Sequence, residues 1–308
     1  ASPLAEGLIN KVISQSGGSF GPTRTINYPG ENMSTLQQAQ AEGVDYVKQF
    51  GASSIAELRE MDATKFIPKG WSLPGGWPIV DGYVIKDDQY KLYQQGQFND
   101  VPALIGYNSD EGLSFVWEPD VNKFVAGIKK RYGPFAERLL DAYPVAKNNI
   151  PRSARNLVRD AAFGWHTWSW AKLQTQYGNA PVYLYYFDHH PARKSGAKDR
   201  DHGSAHGHEI AYMFKNLNTS DPDVTQNDLN MSEAMATYWT NFAKNENPNN
   251  DTLPNWPAFD DEKPSTMYFQ QQPKVGPVPD IEALKTLDQY FQWRRTPEGK
   301  KWANKEVN

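Results

Sequence analysis

The chain has 308 residues, 32 basic and 36 acidic, for a net charge of −4. That balance points away from nucleic acid and anionic membrane as partners, and no apolar run approaches the roughly 18 residues of a membrane helix. With no cysteine there is no disulfide scaffold, no thiolate metal site and no cysteine nucleophile.

The length allows one large domain or two ordinary ones, with a substantial core. The first expected strand covers residues 11–16, short and apolar, closed by Gly17 and Gly18. It runs into "GGSFG" (17–21), a literal G-x-S-x-G, the mark of a strand-to-helix turn that exposes a nucleophilic serine. Such a turn needs a helix directly behind it, whose first N–H groups help hold the oxyanion. Here Pro22, Thr23, Thr25 and Ile26 follow, then Pro29 and Gly30, and that run cannot continue a helix. Ser19 is therefore not expected to be a nucleophile.

Ser34-x-x-Gln37 is a capping-box pattern for a helix ending at Gly51. Ser54-x-x-Glu57 opens a shorter one. Residues 72–85, rich in Gly and Pro, read as a loop with a short extended piece. "VPALIGYN" (101–108) and "PVYLYYFD" (181–188) read as strands covered on both faces, apolar without strict alternation. Residues 121–133 and 153–178 between them read as helices, the second closed by Gly178. Residues 232–245 form an amphipathic helix and 266–269 a last short strand. Strands alternating with helices make the fold α/β.

Two stretches carry candidate chemistry. Asn108-Ser109-Asp110-Glu111-Gly112 leaves a buried strand, a place from which an acid can orient a histidine. The same acids would serve equally as a solvated turn. "DRDHGSAHGHEIAYMF" (199–214) holds three of the six histidines. His206, in a Gly/Ser/Ala loop before a helix-like run at 209–214, has the setting of a general base. Ordinary surface histidines are a second reading, and a metal site from His202, His206, His208 and Asp201 a third. Gly203 and Gly207 disfavour the helix that the His-x-x-x-His spacing would need, so no metal is assigned. Phe163, Trp165, Trp168, Trp170, Trp71 and Trp77 are candidates for a pocket lining or for core.

Five blocks converge on one family: "SPLAEGLINKVISQSG" (2–17), "PIVDGYVI" (78–85), "VPALIGYNSDEG" (101–112), "GSAHGHEIAYMF" (203–214) and "YWTNFAKNENPNNDTLPNWPAF" (238–259). In this order they resemble type B carboxylesterases, the carboxylesterase/cholinesterase family of the α/β-hydrolase fold. The resemblance implies the C-terminal portion of such a fold, a mostly parallel sheet flanked by helices, within a single domain. It implies a carboxylic ester hydrolase needing no metal or organic cofactor, with a small-molecule ester as substrate.

The family's catalytic acid, the Glu of a D-E-G turn, maps onto Glu111. Its catalytic His, in x-H-G-x-E, maps onto His206. Ser16, in "SQSG", resembles a serine that the family places near that pair. The family's nucleophile lies in a G-E-S-A-G elbow upstream of the block matched by residues 2–17, and its oxyanion loop further upstream. The partner expected from this is an N-terminal fragment of the same enzyme, carrying the elbow and the oxyanion loop on a separate segment. It would bind tightly, because half a sheet leaves a hydrophobic edge open; a nick in a loop is its simplest origin. The resemblance further suggests a secreted or periplasmic protein. A non-catalytic binding or adhesion module of the same fold is the alternative.

Overall fold

The computed structural model describes residues 1–24, 33–67, 78–116, 120–145, 150–191 and 201–307. Its strands are β1 (Val12–Gln15), β2 (Ser34–Thr35), β3 (Ile79–Val80), β4 (Ala103–Asn108), β5 (Val182–Phe187), β6 (Ser265–Phe269) and β7 (Pro273–Pro277). Five of them form one sheet in the order β1-β4-β5-β6-β7, and β2 pairs with β3 apart from it. The first four strands of the main sheet are parallel, with Val12 opposite Ala103 and Ala103 opposite Val182. Only β7 runs antiparallel, against β6.

Every residue of β4 and β5 is buried, which explains why their sequences do not alternate. Ala103, Ile105, Val182 and Leu184 join the core on one face, with Trp165, Leu284 and Phe291. Leu104, Tyr183, Tyr185 and Phe187 join the core on the other, with Met235, Tyr238 and Trp256. The period of two thus sends neighbours to opposite faces, and both faces find a helical layer. Gly106 permits this at the crowded centre, since a Cβ there would lie 2.3 Å from the Tyr185 ring.

The helices are α1 (Leu36–Gln49), α2 (Ile55–Arg59), α3 (Gln89–Gln94), α4 (Val121–Tyr132), α5 (Ala136–Ala142), α6 (Ile150–Arg159), α7 (Trp165–Tyr177), α8 (Glu209–Met213), α9 (Gln226–Asn245), α10 (Ile281–Arg294) and α11 (Pro297–Val307). Among the described residues no helix is long and apolar enough to cross a membrane.

Four expectations need correction. The N-cap of α1 is Thr35, whose Oγ1 accepts from Gln38 N–H at 3.2 Å; Ser34 belongs to β2. The helix expected at 153–178 is broken by a π-helical turn, Asp160–Gly164. At this junction Arg159, the last residue of α6, pairs with Asp160 at 2.7 and 2.8 Å, and Tyr143 Oη donates to Asp160 at 2.7 Å. Helix α9 begins at Gln226, six residues early, because Asp228 caps it by accepting from Thr225 N–H at 2.8 Å. After β6 come a further strand and two helices, and α10 covers the first core with Leu284, Leu287 and Phe291.

Candidate active site

The site grows from the ends of two parallel strands. Strand β1 stops at Gln15, and Ser16 turns out of it in the left-handed region, at φ 54°. Its N–H still donates to Gly106 O at 2.8 Å, which fixes the turn against β4. Strand β4 stops at Asn108 and enters a 3-10 turn, Glu111–Ser114. Gly112 lets this turn press onto α6: a Cβ there would lie 2.2 Å from Arg155 O.

Glu111 is fully buried, and three groups converge on it. Its Oε1 accepts from Ser16 Oγ at 2.5 Å and from Asn108 N–H at 2.8 Å. Its Oε2 lies 2.6 Å from His206 Nδ1. A carboxylate only accepts, so Nδ1 carries the proton and the neutral ring keeps Nε2 as its basic atom. Nε2 makes no hydrogen bond to any described residue, and the side chain is 44% exposed. The hydrogen bond that His206 donates to Glu111 holds its pKa above the ordinary imidazole value, with partial burial opposing it.

The loop carrying His206 is fastened to the strand-end turn residue by residue. Ser109 Oγ accepts from Ser204 N–H at 2.8 Å, and Asp110 Oδ2 from Gly203 N–H at 3.0 Å. Asp110 N–H donates to Ser204 O at 2.9 Å, and Asn108 Nδ2 to Ala205 O at 2.8 Å. Gly203 is required by the approach, since a Cβ there would lie 2.3 Å from Ser109 Oγ. Asp110 is itself buried and paired with Arg155 Nε at 2.9 Å. Neither acid of the "SDEG" turn is a solvated turn residue.

Phe163 and Phe115 flank the imidazole, with centroids 5.1 and 5.8 Å from it. Phe163 projects from the π-helical turn, and Phe115 is half exposed. Trp165 and Trp168 are core, and Trp170 packs against it. Trp71 and Trp77 lie outside the described residues.

Ser19 is held elsewhere. Its neighbour Phe20 donates its N–H to His166 Nδ1 at 2.9 Å, and Arg295 donates to Phe20 O. The described residues directly after it, 20–24, are not helical, and no hydrogen bond joins Ser19 to His206.

The histidines of 202–208 do not converge either. His208 Nδ1 accepts from Ala205 N–H at 3.2 Å, His202 lies 3.8 Å from Asp201, and His206 faces Glu111. Among the described residues no group of three or more His, Asp or Glu is placed to hold a metal ion. Sequence reasoning overlooked Asn108, whose side chain ties the strand end to the histidine loop, and the buried Glu209. The x-H-G-x-E pattern already contained the latter.

The model of the carboxylesterase family matches residues 1–288. The chain belongs to the carboxylesterase family. It is similar to human neuroligin-2, 28% identical over 88% of this chain and 37% of that protein. It is similar also to a fumonisin B1 esterase of Sphingopyxis macrogoltabida, 28% identical over 84% of this chain and 48% of that enzyme. Among solved structures, a PNB esterase superposes with a TM-score of 0.70 at 26% identity, covering 93% of this chain and 59% of the other. The fold is that of the α/β-hydrolase esterases. This carboxylesterase-family chain spans between about a third and three fifths of the length of these proteins.

Proposed function

We propose that this chain supplies the acid and the base of a serine carboxylic ester hydrolase, and that the nucleophilic serine comes from a segment outside these residues. The observation that carries the reading is Glu111 Oε2 at 2.6 Å from His206 Nδ1, on a side chain that is 44% exposed. In the first half-reaction Nε2 takes the serine proton as the serine oxygen attacks the ester carbonyl. The imidazolium, stabilised by Glu111, then returns that proton to the leaving alkoxide, and an acyl-enzyme remains. Water repeats the sequence, its proton passing through His206, and the acid is released. Ser16 and Asn108 hold Glu111 so that its second oxygen faces the ring.

The outer edge of β1 pairs with no strand among the described residues, which supports an additional parallel strand from the serine-bearing segment. That segment is the proposed partner, and a small-molecule ester the proposed substrate, in a secreted or periplasmic setting. The test is hydrolysis of p-nitrophenyl butyrate by the assembled enzyme, with loss of activity in His206→Ala and in Glu111→Gln.

The likeness to neuroligin-2, a protein not named for an esterase, favours a second reading: a non-catalytic binding or adhesion module. Ester turnover abolished by a serine-directed phosphonate separates the two.

A further inference from the structure

Glu209 opens α8, three residues after His206, and is 2% exposed. Its Oε1 accepts from Gln15 Nε2 at 2.9 Å and its Oε2 from Asn108 Nδ2 at 2.5 Å. Both donors are neutral amides, and neither can turn round. Gln15 must keep its oxygen toward Trp239 Nε1, 3.3 Å away, and Asn108 must keep its NH2 toward Ala205 O. Position 209 therefore needs two acceptors and no donor, which only a carboxylate provides. Yet no Lys, Arg or His pairs with Glu209 among the described residues. Burying a carboxylate without a cation is costly.

We propose that Glu209 is a positioning residue of the same site, locking the turn that presents Glu111 through Asn108 and favouring the imidazolium that His206 becomes during turnover. The inference rests on the ester-hydrolase reading above. The missing counter-ion is then the transient cation itself. The charges bearing on His206 are Glu111 from the strand-end turn and Glu209 from α8, both raising its pKa. The two aromatic rings beside it, Phe115 and Phe163, carry no charge. Asp110, next along the turn, is balanced by Arg155 at 2.9 Å and Arg152 at 3.6 Å, and Asp201 lies 3.5 Å from Arg155. Tyr185, fully buried on β5, has its ionisation pushed up by burial first, and then by Glu209 and Glu111. That strand therefore presents a neutral phenol and no further charge.

The experiment is a pH profile of kcat/KM for p-nitrophenyl butyrate in the assembled enzyme. Glu209→Gln is expected to move the acid limb down by about half a pH unit or more, because a negative charge near His206 is gone. With it kcat falls about tenfold while KM stays within about twofold. In that variant an amide donor faces the Gln15 amide, so Gln15→Glu/Glu209→Gln is made beside it. The double variant restores an acceptor for every donor and moves the charge one side chain away. It is expected to recover the wild-type Tm, with an acid limb between those of the wild type and Glu209→Gln. Should Glu209→Gln not fold, a lowered limb in the double variant supports the proposal alone. A limb that stays at the wild-type position in whichever variants fold overturns it, whatever happens to kcat. Full activity in His206→Ala or Glu111→Gln would instead overturn the underlying ester-hydrolase reading.

Discussion

Glu111 Oε2 lies 2.6 Å from His206 Nδ1, across ninety-five residues of chain. The separation is bridged because β4 ends beside the loop that follows β5, and residues 108–110 bind that loop at four points. In the proposed reaction the carboxylate fixes the tautomer and steadies the imidazolium. Glu111→Gln is expected to lower kcat by about 10³- to 10⁴-fold with little change in far-UV circular dichroism. A loss of less than about tenfold would show that Glu111 does not serve the histidine.

In the proposed reaction the acid limb of kcat/KM reports His206 in the free enzyme. Its pKa is raised above 6.5 by Glu111, so activity should fall on acidification from a pH above 6.5. The sign for stability is separate: a raised pKa favours the folded state below 6.5, and that contribution is lost as pH rises through the folded value. A limb well below 6.5 would contradict the hydrogen bond as drawn.

Ser16 tests function against strain. Its hydroxyl donates to Glu111 Oε1, and its backbone sits at φ 54°. Ser16→Ala and Ser16→Gly should both lower kcat about three- to tenfold, because each removes that donor. Ser16→Gly should be more stable than Ser16→Ala by about 1 kcal/mol, since glycine accepts the left-handed region without a Cβ penalty. Equal thermal midpoints for the two would deny the strain, and unchanged kcat would deny the role.

Much of this site was legible from two short motifs. "DEG" behind a buried strand and "HG" in a small-residue loop already singled out Glu111 and His206. The strands β4 and β5 were legible because both faces are covered, so their composition is apolar throughout. The π-helical turn at Asp160–Gly164 was not, because apolar positions continue through 153–178 and mark no break there. The burial of Asp110 was not legible, because the groups that enclose it, Arg155 and Gly203, lie far along the chain. The "GGSFG" match pointed the other way: the pattern is present, but Pro22 and the residues after it supply no helix.

His166 provides a test of the fold around that loop. It is fully buried, accepts from Phe20 N–H, and burial, with Arg295 adding to it, pushes its pKa down to about 3. Between pH 6.5 and about 3 the unfolded chain binds a proton that the folded chain does not. Stability is therefore full above 6.5 and falls with acidification, with a limiting slope of about 1.4 kcal/mol per pH unit. His166→Asn keeps an acceptor for Phe20 and does not titrate, so its urea-unfolding free energy should fall less steeply between pH 6.5 and 4. An unchanged slope would place the acid sensitivity elsewhere.

Gly112 is the point where the strand-end turn meets α6. Gly112→Ala puts a methyl 2.2 Å from Arg155 O, so the turn must shift. The expected cost is about 1–3 kcal/mol in stability, with a loss of kcat as Glu111 moves with the turn. Thermal unfolding and kcat measured on the same preparation check both halves. A variant as stable and as active as the wild type would contradict the packing described.

The central claim is that Glu111 and His206 serve a serine that is not Ser19 and does not lie within these residues. The most direct measurement is to label the assembled enzyme with a fluorophosphonate and map the adduct by peptide mass spectrometry. One adduct is expected, on a serine outside residues 1–308, with labelling strongly reduced in His206→Ala and unaffected in Ser19→Ala. An adduct on Ser19, or no adduct on any serine, would contradict the account.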